Sequence, residues 1–591
     1  MNIPDSRHIS NGLTITSSGY SDQPYVVRND DGSWTCLMTT GSGREGQHGQ
    51  HIIAVRSLDQ GQTWTEPVEI EPPDGPEASW ALPFRTLFGR TYAFYTYNAD
   101  NLRTVLADEE FCVKRVDTLG KYAFKYSDDD GRTWSKDRRY IPVREMEIDR
   151  INPYEGRVWY FWGVGKPIVA SGAMILGFAK VGRFGHGFMV TSEGCFIRSD
   201  NIMTERDPDK LHWETLPDGD HGLRAPVGLV ADEIKPVELS DGSLYCTYRS
   251  IDGHSCHAYS RDNGHTWTAS AYMTYADGRY VKHPRAANFV WKLDSGKYIY
   301  WYHNNGGKWY EDRNPVWVSG GVERDGPEGR EIAWSEPEIL MYGDDPRVRI
   351  SYPDLIEDGG KVFITETQKV AARVHEIDMA LLEGLWAQGE LHEITTDGLV
   401  LDLPTDGGHM PDGAPAPPLP EFSERVIVQL PEGPRPGHGT HDIRAGFAID
   451  MWFRLESLDA GQVLVDNRTE TGKGYSIETT TRGTIQVVLN DERTESRWEC
   501  DPVLETGELH HVAVIVDGGP KVISFVIDGV LNDGGEHRQF GWGRFNPQFR
   551  NVPGDDIIKI GPILDGKIER LRIFDRYLRT SEAIANYRAG L

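Results

Sequence analysis

The sequence predicts an all-β protein built in two parts, and three observations carry that prediction. One eight-residue word recurs, as SLDQGQTW (57–64), SDDDGRTW (127–134) and SRDNGHTW (260–267). A stretch almost free of large apolar residues, PTDGGHMPDGAPAPPLP, then interrupts the chain at 404–420. Beyond it come long strands of alternating character, FAIDMWFRL (447–455) and HHVAVIV (510–516), without the word.

Ser-x-Asp-x-Gly-x-Thr-Trp is too long to recur by chance, so it marks an internal structural repeat. Its chemistry is that of a tight turn. The aspartate (Asp59, Asp129, Asp262) can accept backbone N–H groups, the glycine (Gly61, Gly131, Gly264) can take a positive φ, and the tryptophan can cover the gap between neighbouring sheets. Weaker echoes follow at Arg198-Ser199-Asp200 leading to Trp213, and from Ser319 through Arg324-Asp325-Gly326 to Trp334.

The word resembles the Asp box, or BNR repeat, of the sialidase (neuraminidase) superfamily, whose fold is a β-propeller. At one four-stranded blade per roughly 60 to 70 residues, the span from Tyr20 to about Glu393 holds six blades, the number sialidases use. The resemblance places the boxes on the rim, away from the catalytic face, with a structural role. The C-terminal pattern, including VISFVIDGVLND (522–533) and DGKIERLRIFDRYLRTSEAI (565–584), resembles a laminin-G-like, concanavalin-type jelly roll. The expected order is therefore a six-bladed propeller over 1–402, a linker over 403–421 and a β-sandwich over 422–591.

A net charge of −28 argues against a nucleic-acid partner, because phosphates would be repelled. It leaves room for a basic pocket and a small anionic ligand. The six cysteines (Cys36, Cys112, Cys195, Cys246, Cys256, Cys500) have no metal-like spacing and read as free thiols. His48 with His51, and His254 with His257, lack a third ligand at a recognised spacing. No cofactor is expected, although laminin-G-like units sometimes carry calcium, which leaves an acidic loop site open there. No basic-then-apolar leader or membrane-length segment is present, so no membrane partner is expected. The chain reads as cytoplasmic as given, or exported if a leader was trimmed, and its oligomeric state is left open.

Sialidases hold a sugar carboxylate with three arginines, attack with a tyrosine activated by a glutamate, and protonate the leaving oxygen with an aspartate. DEIKPVELSDG (232–242) running into LYCTYR (244–249) looks like the family's Glu-x-x-x-Val-Glu-Leu-x-Asp-Gly followed by a strand and Arg. The resemblance makes Glu233 the tyrosine's partner and Arg249 a carboxylate clamp. Arg313 in YEDRNP fits a further clamp, with Arg285 in HPRAANFVW as its competitor. Tyr352 in ISYPDL fits the nucleophile, since a neutral phenol escapes the repulsion that a carboxylate nucleophile would feel beside an acidic sugar.

Two positions depart from the family. The initial Arg-Ile-Pro segment is replaced by SDQPY (21–25), which puts Asp22 where the first arginine belongs. The loop expected to hold the acidic aspartate reads GSGREGQHGQH (41–51), offering Glu45 as acid if burial raises its pKa and Arg44 as a substitute clamp. Arg224, Asp354 and Gln368 complete the expected substrate-binding set. Glu147 to Arg150, Arg183 to His186, Glu193, His221, His303 to Asn305 and Glu366 are further polar groups near inner strands.

The expected function is a retaining, exo-α-sialidase-like glycosidase acting on a terminal acidic sugar of a glycan. Two alternatives use the same residues or the same fold. A propeller-type polysaccharide lyase would use Tyr352 and the arginines to abstract a proton beside a uronate carboxylate, and a non-catalytic carbohydrate-binding protein would need only the fold.

Overall fold

A computed structural model describes residues 5–17, 19–107, 110–112, 115–185, 188–405, 410–420, 422, 446–546, 549 and 552–591. The chain forms two compact units, one comprising Gly12–Trp334 and Arg347–Met379, the other Met1–Asn11, Ser335–Pro346 and Ala380–Leu591.

The first unit is a six-bladed β-propeller. The blades begin, in chain order, with the inner strands Tyr20–Arg28, Ala78–Arg85, Ile168–Ala170, Asp232–Glu238, Phe289–Lys292 and Leu355–Asp358. The sixth blade takes its last strand from the start of the unit: Leu13–Ile15 pairs with Ala372–Glu376, Leu13 opposite Val374. Closing the ring this way leaves no blade with a free inner neighbour.

The repeated word forms the same turn three times. The Ser57, Ser127 and Ser260 hydroxyls donate to Asp59, Asp129 and Asp262 at 2.8, 2.8 and 2.9 Å. They also accept from the Gly61, Gly131 and Gly264 amides at 2.8, 2.8 and 2.9 Å. Each aspartate then takes the hydroxyl of Thr63, Thr133 or Thr266 at 2.6 Å. Gln60, Asp130 and Asn263 take left-handed φ of 56°, 58° and 59°, and the glycines follow at 83°, 81° and 93°. Each tryptophan covers the preceding blade, as expected of a spacer between sheets. Trp267 stacks on Phe196 at 4.6 Å, while Trp213 packs on Phe94 and Phe124. Trp334, in the fainter echo, donates to Tyr245 of the fourth blade at 3.3 Å.

At the other end of the blades the inner strands are irregular. Pairing slips between Asp22 and Tyr25, Ser79 and Leu82, and Asp232 and Lys235. Each slip contains a left-handed residue: Gln23 (φ 55°), Trp80 (62°) and Glu233 (57°), matched in the sixth blade by Tyr352 (47°). Such bulges turn a side chain out of the alternating pattern. A proline follows each of these residues by one or three positions (Pro24, Pro83, Pro236, Pro353), where a missing N–H suits a broken ladder.

The second unit is a β-sandwich. One sheet is built on Gly446–Leu455, Leu509–Asp517, Val522–Ile527 and Gly566–Phe574, the other on Val463–Asp466, Gly474–Thr479, Ile485–Asn490 and Ile557–Ile563. Their inward residues, among them Phe447, Met451, Ile477, Val487, Val514, Phe525 and Leu571, make one core. Within the Pro/Gly-rich stretch expected to be a linker, Gly413–Pro415 forms a strand on Ile557–Ile563, with Ala414 opposite Ile558. Its prolines suit an edge, where one side of the backbone needs no partner. Residues 406–409, 421 and 423–445 of the expected linker and sandwich lie outside the described residues.

Three segments that the sequence reading placed in 1–402 pack in this second unit, 5–11, 335–346 and 380–402, the last contributing to a strand, Leu399–Pro404, on Gly566–Phe574. Arg7 pairs with Asp5 at 2.8 Å and Asp517 at 2.7 Å and lies over the Tyr577 ring. Glu338 accepts the Thr580 and Ser581 amides at 3.0 and 2.8 Å, at the start of the helix Thr580–Ala589. Strand periodicity carries no information about such long-range polar latches. Cys36, Cys195, Cys246, Cys256 and Cys500 are free and buried, and among the described residues no helix is long and apolar enough to cross a membrane.

Candidate active site

The bulged residues bring Glu233 and Tyr352 together. Tyr352 Oη donates to Glu233 Oε1 at 3.0 Å, although the two residues are 119 positions apart. The same oxygen receives Trp162 Nε1 at 3.1 Å and lies 2.8 Å from Arg249 Nη1. Arg249 is also held by Asp232 through Nε at 2.6 Å and Nη2 at 3.1 Å. All of these groups are buried. Burial raises the Glu233 pKa against the pull of Arg249, and burial beside Glu233 pushes the Tyr352 phenol well above its usual value.

Two further arginines stand close by with no acidic partner of their own among the described residues. Arg313 donates to Ser351 Oγ at 2.9 Å and to the Arg285 carbonyl at 3.4 Å, whereas Arg285 donates to the Met189 carbonyl. Both are 6% exposed, and each leaves its Nε without a partner among the described residues. Burial and repulsion from Arg249 bring Arg285 down to about 10. Phe188 lies beneath this group, its ring centre 4.4 Å from the Arg285 guanidinium, 5.7 Å from Arg249 and 5.5 Å from Arg115. An anion entering here meets several guanidiniums on an aromatic floor.

The facing wall is acidic. Asp22 is fully buried and accepts Tyr20 Oη and Lys369 Nζ, both at 2.6 Å. Lys369 also lies 4.0 Å from the centre of the Tyr352 ring. A lysine with φ of 70° is unusual, and the conformation is fixed by its amide donating to Thr367 Oγ1 at 2.9 Å. Lys369, from the sixth blade, is thus paired to Asp22 in the first. Glu45 sits between Lys369 at 3.7 Å and Arg115 at 3.6 Å. Burial raises its pKa, but Lys369, Arg115, Arg313 and Arg249 together outweigh that and lower it to about 2, so it is ionised at neutral pH. Asp117, 3.2 Å from Arg115 Nη2, behaves oppositely: burial and the nearby Glu45 charge raise it to about 7, and neither oxygen has a hydrogen-bond partner among the described residues.

The structure thus brings together Tyr352, Glu233, Arg249, Arg313, Arg285 and Glu45. It places the other expected residues elsewhere. Asp354 is locked by Lys166 at 2.8 Å and the Val26 amide at 2.7 Å. Gln368 bridges Glu366 and Arg373, and Arg224 is held by Glu193 at 2.6 Å beside His221. Arg44 is exposed. Asp149 pairs with Lys180 and Arg150 with Asp220, and His303 is buried in a stack on His283. His186 lies outside the described residues.

Sequence reasoning did not find Arg115, Asp117, Lys369 or Trp162. One signal was available for the first two. They lie in the connection between Thr91–Tyr97 and Lys121–Ser127, far longer than the turns joining other neighbouring strands, and long loops in compact folds are commonly functional. Among the described residues no cluster of His, Cys, Asp and Glu is arranged to hold a metal.

Residues 81–364 match the family described as BNR repeat-like domain, and residues 434–585 match that described as concanavalin A-like lectin/glucanases superfamily. The chain therefore carries a BNR repeat-like domain followed by a concanavalin-like domain. No curated protein matches the sequence. Among solved structures, the intramolecular trans-sialidase from Ruminococcus gnavus is similar at 14% identity and a TM-score of 0.45, covering 64% of this chain and 99% of that one. The leech intramolecular trans-sialidase is 13% identical with a TM-score of 0.45, over 63% and 70%. Trypanosoma rangeli sialidase is 12% identical with a TM-score of 0.40, over 100% and 98%.

Proposed function

We propose that the propeller is a retaining glycosidase that removes a terminal acidic sugar, sialic acid or a related sugar acid, from a glycan. The observation that carries this reading is the 3.0 Å hydrogen bond from Tyr352 Oη to Glu233 Oε1, beside buried arginines with unsatisfied donors. A binding protein gains nothing from burying a carboxylate against a phenol at the cost of two left-handed residues.

The sugar carboxylate docks on Arg313, Arg285 and Arg249. Glu233 takes the phenolic proton as Tyr352 Oη bonds to the anomeric carbon, and the bond to the leaving oxygen breaks. Asp117 gives that oxygen its proton, because it is the acid that remains protonated near neutrality, whereas Glu45 is already ionised. Water then attacks the anomeric carbon and the bond to Tyr352 Oη breaks; the water gives a proton to Asp117 while Glu233 returns its proton to the departing phenolate. Burial keeps the phenol neutral until substrate arrives.

The test is release of 4-methylumbelliferone from its α-N-acetylneuraminide and from the corresponding uronides, by wild type and by Tyr352→Phe. Turnover that falls by about three orders of magnitude or more in Tyr352→Phe is expected. Turnover retained in that variant removes the nucleophile assignment. Products absorbing in the ultraviolet as unsaturated uronates would make the enzyme a lyase.

A further inference from the structure

The Glu45 carboxylate stands between two of the cations that line the site. One oxygen is 3.6 Å from Arg115 Nη1 and the other 3.7 Å from Lys369 Nζ. Both distances exceed the roughly 2.7 to 2.9 Å of a close charge-assisted bond, and the Lys369–Asp22 contact at 2.6 Å shows what a close one looks like here. Glu45 is therefore held by the field of its neighbours more than by directed bonds. Its side chain is 29% exposed, while Arg115, Arg249 and Arg313 behind it are buried.

The donors beneath remain unsatisfied with Glu45 in place. Arg115 Nε and Nη2, Arg313 Nε and Arg285 Nε are buried and have no hydrogen-bond partner among the described residues. Buried guanidinium groups left in that state call for an anion that sits deeper and bonds directly.

The segment that carries Glu45 is a glycine-rich connection. It joins the strands Trp34–Gly41 and His51–Ser57 and contains Gly41, Gly43, Gly46 and Gly49 at left-handed φ of 149°, 98°, 75° and 95°. At its neck a side chain on Gly41 would come within 2.6 Å of the Gly49 carbonyl, so the two ends cross too closely for any other residue.

We propose that Glu45 is a built-in occupant of the anion site, which an acidic ligand must displace, so that the 42–50 loop acts as a charge-matched lid. A neutral sugar that displaces Glu45 removes one carboxylate from beside Arg115 and Lys369 and leaves them only Asp117 and Asp22, so the lid selects for acidic ligands. An acid that bonds the unsatisfied arginine donors displaces Glu45 at little electrostatic cost. The inference rests on the reading that this site takes an acidic sugar, but it makes a separate claim about the resting state.

Acetate, a carboxylate without a sugar, is the probe, titrated by calorimetry into the full chain. If Glu45 fills the site about nine-tenths of the time, Glu45→Gln binds acetate about tenfold more tightly than wild type. Glu45→Ala does the same should the glutamine variant misfold, and methyl acetate shows no such gain. Acetate binding in Glu45→Gln and Glu45→Ala that equals or falls below wild type overturns the lid. The two claims fail separately: an acetate gain without turnover of any sugar acid sinks the glycosidase reading alone, whereas turnover without an acetate gain sinks the lid alone.

Discussion

The rim and the mouth of the propeller use the same polar residue types to opposite ends. At the rim, each aspartate of the repeated turn is satisfied by residues two and four positions away, in three copies that agree to about 0.1 Å. At the mouth, Glu233 and Tyr352 meet across 119 residues, and Arg313, Arg285, Arg115 and Asp117 keep buried atoms without hydrogen-bond partners among the described residues. The rim turns satisfy their serine, aspartate and threonine side chains internally and add to stability. Unmet hydrogen-bonding capacity at the mouth costs stability and is what a ligand can use.

The largest expected effect lies at the mouth. Asp117→Asn should lower turnover of natural glycosides by about two to four orders of magnitude, the range for losing a general acid, and lower it much less for aryl glycosides whose leaving group needs no proton. The pH profile gives the finer reading. With Asp117 raised to about 7, activity falls as pH rises through that value because the acid loses its proton. Under the proposed mechanism the acid limb reports Glu233, which must be ionised to take the phenolic proton and whose pKa lies above the usual glutamate value. An alkaline limb near 7 that persists in Asp117→Asn would assign the proton to another group.

A smaller effect, of unusual sign, is expected at Arg285. Its charged form is disfavoured in the folded protein at every pH below about 10, since burial and Arg249 lower its pKa from the unfolded value. Arg285→Met removes that penalty, so the variant should unfold at higher denaturant concentration, by about 1 kcal/mol or more, while KM for an acidic sugar rises. Lower stability together with unchanged KM would mean that Arg285 is a structural strut.

The same contrast explains how much was legible in the sequence. The boxes could be read residue by residue because every partner lies inside the word, and Trp64, Trp134 and Trp267 announced the spacing of blades. Glu233, Arg249 and Tyr352 were legible only through resemblance, although the three prolines after Gln23, Trp80 and Glu233 mark the bulges in the inner strands. Lys369 was out of reach because nothing local relates a lysine in the sixth blade to Asp22 in the first; their contact spans 347 positions. The direction of the Glu45 shift was equally hidden. Burial alone argues for a raised pKa, and only the convergence of Lys369, Arg115, Arg313 and Arg249 reverses it. The ion pair from Arg7 to Asp517, which ties the start of the chain into the second unit, has no sequence signature for the same reason.

The smallest effect tests the rim half of the contrast. Ser127→Ala deletes one hydroxyl that donates to Asp129 and accepts from Gly131, both at 2.8 Å. Two neutral or singly charged hydrogen bonds of this kind are worth about 1 to 2 kcal/mol together. Asp129 keeps both of its bonds to Thr133, so the turn should survive. Stability should drop by that amount in a urea titration with unchanged slope, and kcat and KM should stay at wild-type values. The corresponding change at Ser57 or Ser260 should cost the same within about 0.5 kcal/mol, because the geometry repeats and the three turns share no partner. A change in kcat in any of the three would show that the rim is coupled to the mouth through the blades, and the division between a stabilising end and a reactive end would then fail.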